Sequence, residues 1–209
     1  IVLCLVGSEM CIRDSIEGEK LFSLIVLESL NQIKKFFKVK DELGLSDTTV
    51  YLNVSAHTIM HQEFCKIFSR FVEENGIKEN EFGLEITETA ELEDTKKAGE
   101  SLERLKKRGI KIALDDFGAG YASLKYIRDL PIDVVKLDRH FTSNISDPST
   151  SRLIKFVSDV CAELNLEMIG EGIETEKEKN MMIELGCVTG QGFLTVSYTH
   201  LRAHETQDD

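Results

Sequence analysis

The sequence predicts an α/β fold, a TIM-like (β/α) barrel, and three observations lead there. Six apolar, strand-like runs alternate with helical repeats along the chain. The runs end in polar or charged residues: Asn53, Glu85, Asp115 with Asp116, Lys136, Glu171 and Gln191. Glycines or turn residues close most of the helical repeats. Strands that alternate with helices pair in parallel, through right-handed connections. An open sheet gathers ligands at one switch point, whereas a barrel collects the C-terminal ends of all its strands around one mouth. A barrel therefore explains why every strand contributes a functional group.

The two ends are set aside first. Leu5 to Ser15 can be encoded by a DNA string whose reverse complement encodes Val196 to Thr206, and that string resembles a sequencing-library transposon adapter. Residues 1–15 and 196–209 are accordingly read as adapter-derived and non-native, and residues 16–195 as one partial domain.

Within that segment, Leu21, Leu24, Ile25, Leu27, Leu30, Ile33 and Phe37 recur every three or four residues, which predicts an amphipathic helix from Lys20 to about Glu42. Val50 to Val54 reads as a strand. Ser55 caps a helix whose inward face is Met60, Phe64, Ile67, Phe68 and Phe71, and Asn75-Gly76 ends it. Phe82 to Glu88 is the next strand, followed by a helix with Leu102 and Leu105 inward and Gly109 as its stop. Ile110 to Asp116 is a covered strand that runs into the glycine-rich Phe117-Gly118-Ala119-Gly120. A short helix around Leu124 to Ile127 leads to the strand Val134 to Asp138. A helix from Thr150 to Leu164 presents Leu153, Ile154, Val157, Val160 and Cys161. Glu167 to Glu174 is a strand, a helix through Met181, Met182 and Leu185 closes at Gly186, and Cys187 to Leu194 holds the last strand.

Composition narrows the function. The 209 residues carry a net charge of -12, which argues against a face for nucleic-acid polymers. No apolar run is long enough to span a membrane, and the apolar start lacks the basic region of a signal peptide, so no membrane contact is expected from this segment. Cys65, Cys161 and Cys187 lack metal-type spacing and fit buried thiols in a reducing cytoplasm.

Four acids at one rim repel one another, since like charges about 4 Å apart cost roughly 4 kcal/mol at an effective dielectric of 20. Divalent cations relieve that repulsion. All-oxygen donors, an amide such as Asn53 and no His or Cys suit Mg²⁺ or Mn²⁺. Two such ions polarise a phosphoryl group and activate water, so the expected reaction is phosphodiester hydrolysis. Lys136 stabilises developing charge, and Glu171 both ligates metal and takes a proton from water. Each residue alone has a plainer reading, as a helix cap or a structural ion pair; the constellation outweighs it. Asp115 and Asp116 are adjacent, so their side chains must diverge for both to reach the centre. Glu88 and Glu174 read as loop supports. His57, His61 and His140 read as surface or supporting residues, and Met181-Met182 as core.

These residues lie in motifs that resemble the EAL-domain family, barrel phosphodiesterases that hydrolyse the bacterial second messenger cyclic di-GMP. The motifs are Leu52-Asn53-Val54-Ser55, Leu84-Glu85-Ile86-Thr87-Glu88, Asp115 to Gly120, Val135-Lys136-Leu137-Asp138-Arg139, Glu171-Gly172-Ile173-Glu174-Thr175 and Gln191-Gly192-Phe193. The resemblance implies metal ligation by Asn53, Glu85, Asp115, Asp116 and Glu171, and action of Lys136 and Glu171 on the catalytic water. It also implies that Glu88 braces the Asp115 to Ser123 loop, that Asp138 and Glu174 support the site, and that Gln191 lies near water or substrate. The implied product is the linear dinucleotide pGpG, the location cytoplasmic, and the partner a second copy through the complete domain. Two departures matter: no Glu-Ala-Leu signature precedes Asn53, and the family's final helix is replaced from Val196 on. The barrel is thus expected to be incomplete, lacking its first strands and final helix, with the parent protein active and the fragment itself inactive. The rival readings are an EAL module that binds cyclic di-GMP or a protein without catalysis, and an unrelated metal-dependent barrel hydrolase.

Overall fold

The computed structural model describes residues 16–42, 49–61, 63–87, 94–119, 123–192 and 195–200. They fall into two compact units.

The first unit contains α1 (Ile16–Glu42), β1 (Val50–Val54), α2 (Ala56–Met60), α3 (Phe64–Asn75), β2 (Phe82–Thr87) and α4 (Thr95–Lys106). β1 and β2 pair in parallel, with Asn53 opposite Glu85. The single helix expected after Ser55 is two. Ser55 does cap α2, its Oγ accepting from the Thr58 N–H at 3.1 Å, but the chain turns extended at His61 before α3 begins. Gly76 ends α3 in the left-handed conformation (φ +62°). α3 buries Phe64, Phe68 and Phe71, whose rings cluster with Phe82 of β2: Phe68 stacks on Phe82 at 6.3 Å between centroids, and Phe71 meets it edge-on at 5.9 Å. Gly83 has no side chain because the Tyr51 ring fills that space. Leu27, expected on the inward face of α1, is 50% exposed; Val26, Leu30 and Ile33, spaced four and three residues apart, form the buried stripe instead.

At the end of α1, Lys40 is 1% exposed and its ammonium lies 3.1 Å from Glu81 Oε1, with the Phe37 ring 5.3 Å away. Glu81 also accepts from the Lys78 N–H at 2.8 Å. Burial alone would raise this carboxyl; the Lys78 backbone N–H and the Lys40 ammonium hold it below the ordinary glutamate value.

The second unit contains β3 (Lys111–Phe117), α5 (Ser123–Asp129), β4 (Val134–Leu137), α6 (Arg139–Ser143), α7 (Pro148–Glu163), β5 (Glu167–Glu171), α8 (Glu176–Glu184), β6 (Thr189–Gly192) and β7 (Thr195–His200). β3, β4, β5 and β6 pair in parallel in that order, and β7 adds antiparallel to β6. β7 falls largely in the segment set aside on sequence, and its pairing satisfies the edge N–H and C=O groups of β6. The strand expected to reach Glu174 stops at Glu171, because Gly172 turns left-handed at φ +66°. α7 starts at Pro148 rather than Thr150, with Asp147 accepting from the Ser149 and Thr150 N–H groups. Leu153, expected inward, is 54% exposed; the buried face is Ile154, Val157, Ser158 and Cys161, and Leu153 sits one residue, about 100°, off that stripe. Cys187 is buried beneath β5 and β6, its thiol near the Met168 and Thr189 carbonyls. Burial pushes Cys161 up to about 11 and Cys187 up to about 12.

Candidate metal centre

In the second unit, parallel register decides which side chains share a face. Ala113 pairs with Val134 and Lys136 with Ile169, while Glu171 pairs with Gln191. Alternation along each strand then puts Asp115, Lys136, Glu171 and Gln191 on one face of the sheet. A regular strand would turn Asp116 to the opposite face. The strand is not regular there: three residue steps from Leu114 to Phe117 match two from Val135 to Leu137, so β3 carries one extra residue. Asp116 takes the left-handed conformation (φ +54°) in that bulge. As a result Asp115, Asp116 and Glu171 each bring a carboxylate oxygen within 4.8 Å of the others. Divergence of the two neighbouring aspartates from strand geometry, required by the sequence reading, is achieved by this bulge.

Lys136 is 3% exposed and lies between two of the acids, with Nζ 2.7 Å from Asp115 Oδ1 and 2.8 Å from Glu171 Oε1. One ammonium thus bridges two of the three clustered carboxylates. Burial raises the Glu171 carboxyl above its ordinary value; Lys136 opposes that rise, while Asp115 and Asp116 add to it. The Gln191 side-chain oxygen is buried and, among the described residues, accepts no hydrogen bond. A buried acceptor of this kind calls for a donor or a cation. Three clustered carboxylates, one amide oxygen and no His or Cys make a donor set that fits a hard divalent cation.

The remaining sequence-predicted residues are placed as follows. Asn53 and Glu85 are side by side in register at the C-terminal ends of β1 and β2, Glu85 being 1% exposed. Asp138 is half-buried and caps α6, its Oδ1 accepting from the His140 N–H at 2.8 Å. Glu174 is exposed and not part of the cluster; its N–H donates to Glu178 Oε2 at 2.9 Å, alongside the Thr175–Glu178 capping box that opens α8. Glu88 lies outside the described residues. Sequence reasoning missed α6 and its residue Phe141, and assigned no role to Arg139, which lies in a quoted motif. The available signal was Asp138 itself, an N-cap residue directly followed by a short polar stretch.

The chain matches the family model described as EAL domain over residues 13–197. It is 34% identical over 174 residues to the cyclic di-GMP phosphodiesterase PdeA of Borreliella burgdorferi, covering 82% of this chain and 25% of that protein. It is 31% identical over 152 residues to the bifunctional diguanylate cyclase/cyclic di-GMP phosphodiesterase MucR of Pseudomonas aeruginosa, covering 72% of this chain and 22% of that protein. The chain thus spans about a quarter or less of the length of these curated relatives. Among solved structures, the PaMucR phosphodiesterase in complex with c-di-GMP superposes with a TM-score of 0.76 at 28% identity, over 88% of this chain and 74% of that one. The expected fold class, an α/β, TIM-like barrel in incomplete form, agrees with that likeness. By motif, fold and extent of the match, the chain belongs to the EAL domain family.

Proposed function

We propose that the parent protein hydrolyses cyclic di-GMP to linear pGpG with Mg²⁺ or Mn²⁺. The observation that carries this reading is the convergence of Asp115, Asp116 and Glu171 around Lys136 in a chain of the EAL domain family. Asp115, Asp116 and Glu171 would hold a divalent cation, and Asn53 and Glu85 are proposed as further oxygen ligands. Bound divalent cations supply charge neutralisation and polarisation at the phosphoryl group.

The chain's own residues do the rest. Glu171, whose carboxyl burial already makes more basic, accepts the proton of the attacking water. Lys136, held between Asp115 and Glu171, balances the negative charge that builds on the phosphoryl oxygens. The water oxygen bonds to phosphorus, the bond to the 3′ oxygen breaks, and a proton returns to that leaving oxygen. Gln191 orients water or substrate through its buried amide oxygen. Asp138 acts indirectly, by capping α6.

A cytoplasmic place of action and a homodimer through the complete domain belong to the same proposal, as do native boundaries at 16 and 195. No described helix is long and apolar enough to cross a membrane. The test is to assay the full-length gene product with cyclic di-GMP. We expect pGpG with Mg²⁺ or Mn²⁺, and a loss of at least about 10³-fold in Glu171→Ala. Absence of pGpG with both ions overturns the reading; tight cyclic di-GMP binding without turnover replaces it with a receptor.

A further inference from the structure

The backbone leaves β3 through two left-handed residues in three, Asp116 at φ +54° and Gly118 at φ +96°. Such a turn persists only where its surroundings hold it. Hydrogen bonds help to close it: the Ala119 N–H donates to the Asp116 carbonyl at 3.0 Å, and the Asp138 N–H donates to the Phe117 carbonyl at 3.3 Å. The Phe141 ring lies directly on Gly118, so that a methyl group there would fall within the ring atoms. Phe141 belongs to α6, and the first residue of the same helix packs elsewhere. A Cβ on Gly172, the residue after Glu171, would lie 2.8 Å from Cβ of Arg139. One five-residue helix therefore touches the chain just past both acid-bearing strands of the cluster, and it hangs from β4, which carries Lys136.

We propose that α6 is a positioning element, with Phe141 on Gly118 and Arg139 on Gly172 setting the separation of the Asp115 and Asp116 carboxylates from Glu171. Phe141 has no polar group, so its part is played wholly through the turn it covers. The two glycines are required by close approach as well as by positive φ: a side chain at either would push α6 outward. The inference rests on the reading of this cluster as a cation site.

The experiment uses Phe141→Ala and the conservative Phe141→Leu in the full chain, with two readouts. The first is amide hydrogen exchange in the metal-free protein, at Ala119 and Asp138, which close the turn, and at Glu167, whose N–H donates to the Asp133 carbonyl away from it. The second is Mn²⁺ affinity by electron paramagnetic resonance titration. In Phe141→Ala we expect exchange at Ala119 and Asp138 to rise about tenfold while Glu167 is unchanged. Mn²⁺ affinity should fall about tenfold, and Phe141→Leu should recover most of both effects. Unchanged affinity overturns the proposal, whether or not exchange rises. Equal acceleration at Glu167 also overturns it, because the effect is then general destabilisation. If the wild-type chain takes up no Mn²⁺, the cation reading fails, and exchange at Ala119 and Asp138 alone decides whether Phe141 holds the turn.

Discussion

Two buried lysines meet their acids in opposite ways. Lys40 pairs with one carboxylate, Glu81, which also accepts a backbone N–H, and the account of charge there is even. Lys136 bridges Asp115 and Glu171, which cluster with Asp116 beside a backbone bulge in which that aspartate is left-handed. The first arrangement ties the end of α1 to the start of β2, so its cost of desolvation is offset by its own partners. The second gathers three carboxylates within 4.8 Å of one another, two of them paired to one ammonium, a donor set that fits a divalent cation. A single buried pair acts here as a structural joint, and a cluster of carboxylates around a buried ammonium is the candidate ligand site.

The comparison can be broken by removing one acid at a time. The largest effect is expected at the Lys136 cluster: Asp115→Ala should reduce Mn²⁺ affinity by more than about 100-fold, read by calorimetric titration. At the Lys40 joint, Glu81→Ala leaves Lys40 buried without its carboxylate and should cost about 3 kcal/mol in urea unfolding, with no change in Mn²⁺ affinity. The Thr175→Ala change removes the hydroxyl that caps α8 and should cost about 1 kcal/mol, again without effect on the cation. A smaller effect of opposite sign sharpens the contrast. Glu171→Gln removes a carboxylate that burial disfavours in its charged form, so the metal-free chain should melt at a higher temperature at neutral pH while its Mn²⁺ affinity falls. A lower melting temperature would count against burial as the main influence on this carboxyl.

pH separates the two sites by sign. The Glu81 carboxyl is held below its unfolded value, so its stabilisation is fully present above the unfolded carboxylate pKa and is lost as pH falls through the folded one. The Glu171 carboxyl is raised, so its contribution to the metal-free fold is present below the unfolded value and lost as pH rises through the folded one. Acid unfolding of Glu81→Gln should therefore be less steep than that of the wild type between about pH 5 and pH 3.

The parallel strands were legible because each is an apolar run with a polar residue near its C-terminal end, as at Asn53, Glu85 and Lys136. Asp115 and Glu171 could be assigned to one site because the parallel arrangement puts strand ends together. The route by which Asp116 joins them was not legible, since a bulge is a property of two strands in register and the one-residue excess appears only against β4. The Lys40–Glu81 joint escaped for a similar reason: its partners are 41 residues apart and neither is unusual alone. α6 is too short to show a helical repeat, and the capping bond from the His140 N–H to Asp138 that opens it is not visible in the sequence. Leu27 and Leu153 were misassigned because a run of apolar residues on a helix fixes the buried stripe only to within a residue.

The buried thiol of Cys187 gives the molecule a clock. With its ionisation pushed up to about 12 by burial, the thiol stays protonated at neutral pH, and the sulfur lies beneath the strand pair that carries Glu171 and Gln191. Alkylation of that cysteine must wait for the pair to part, so its rate, followed by mass spectrometry, counts openings of the floor under the acid cluster.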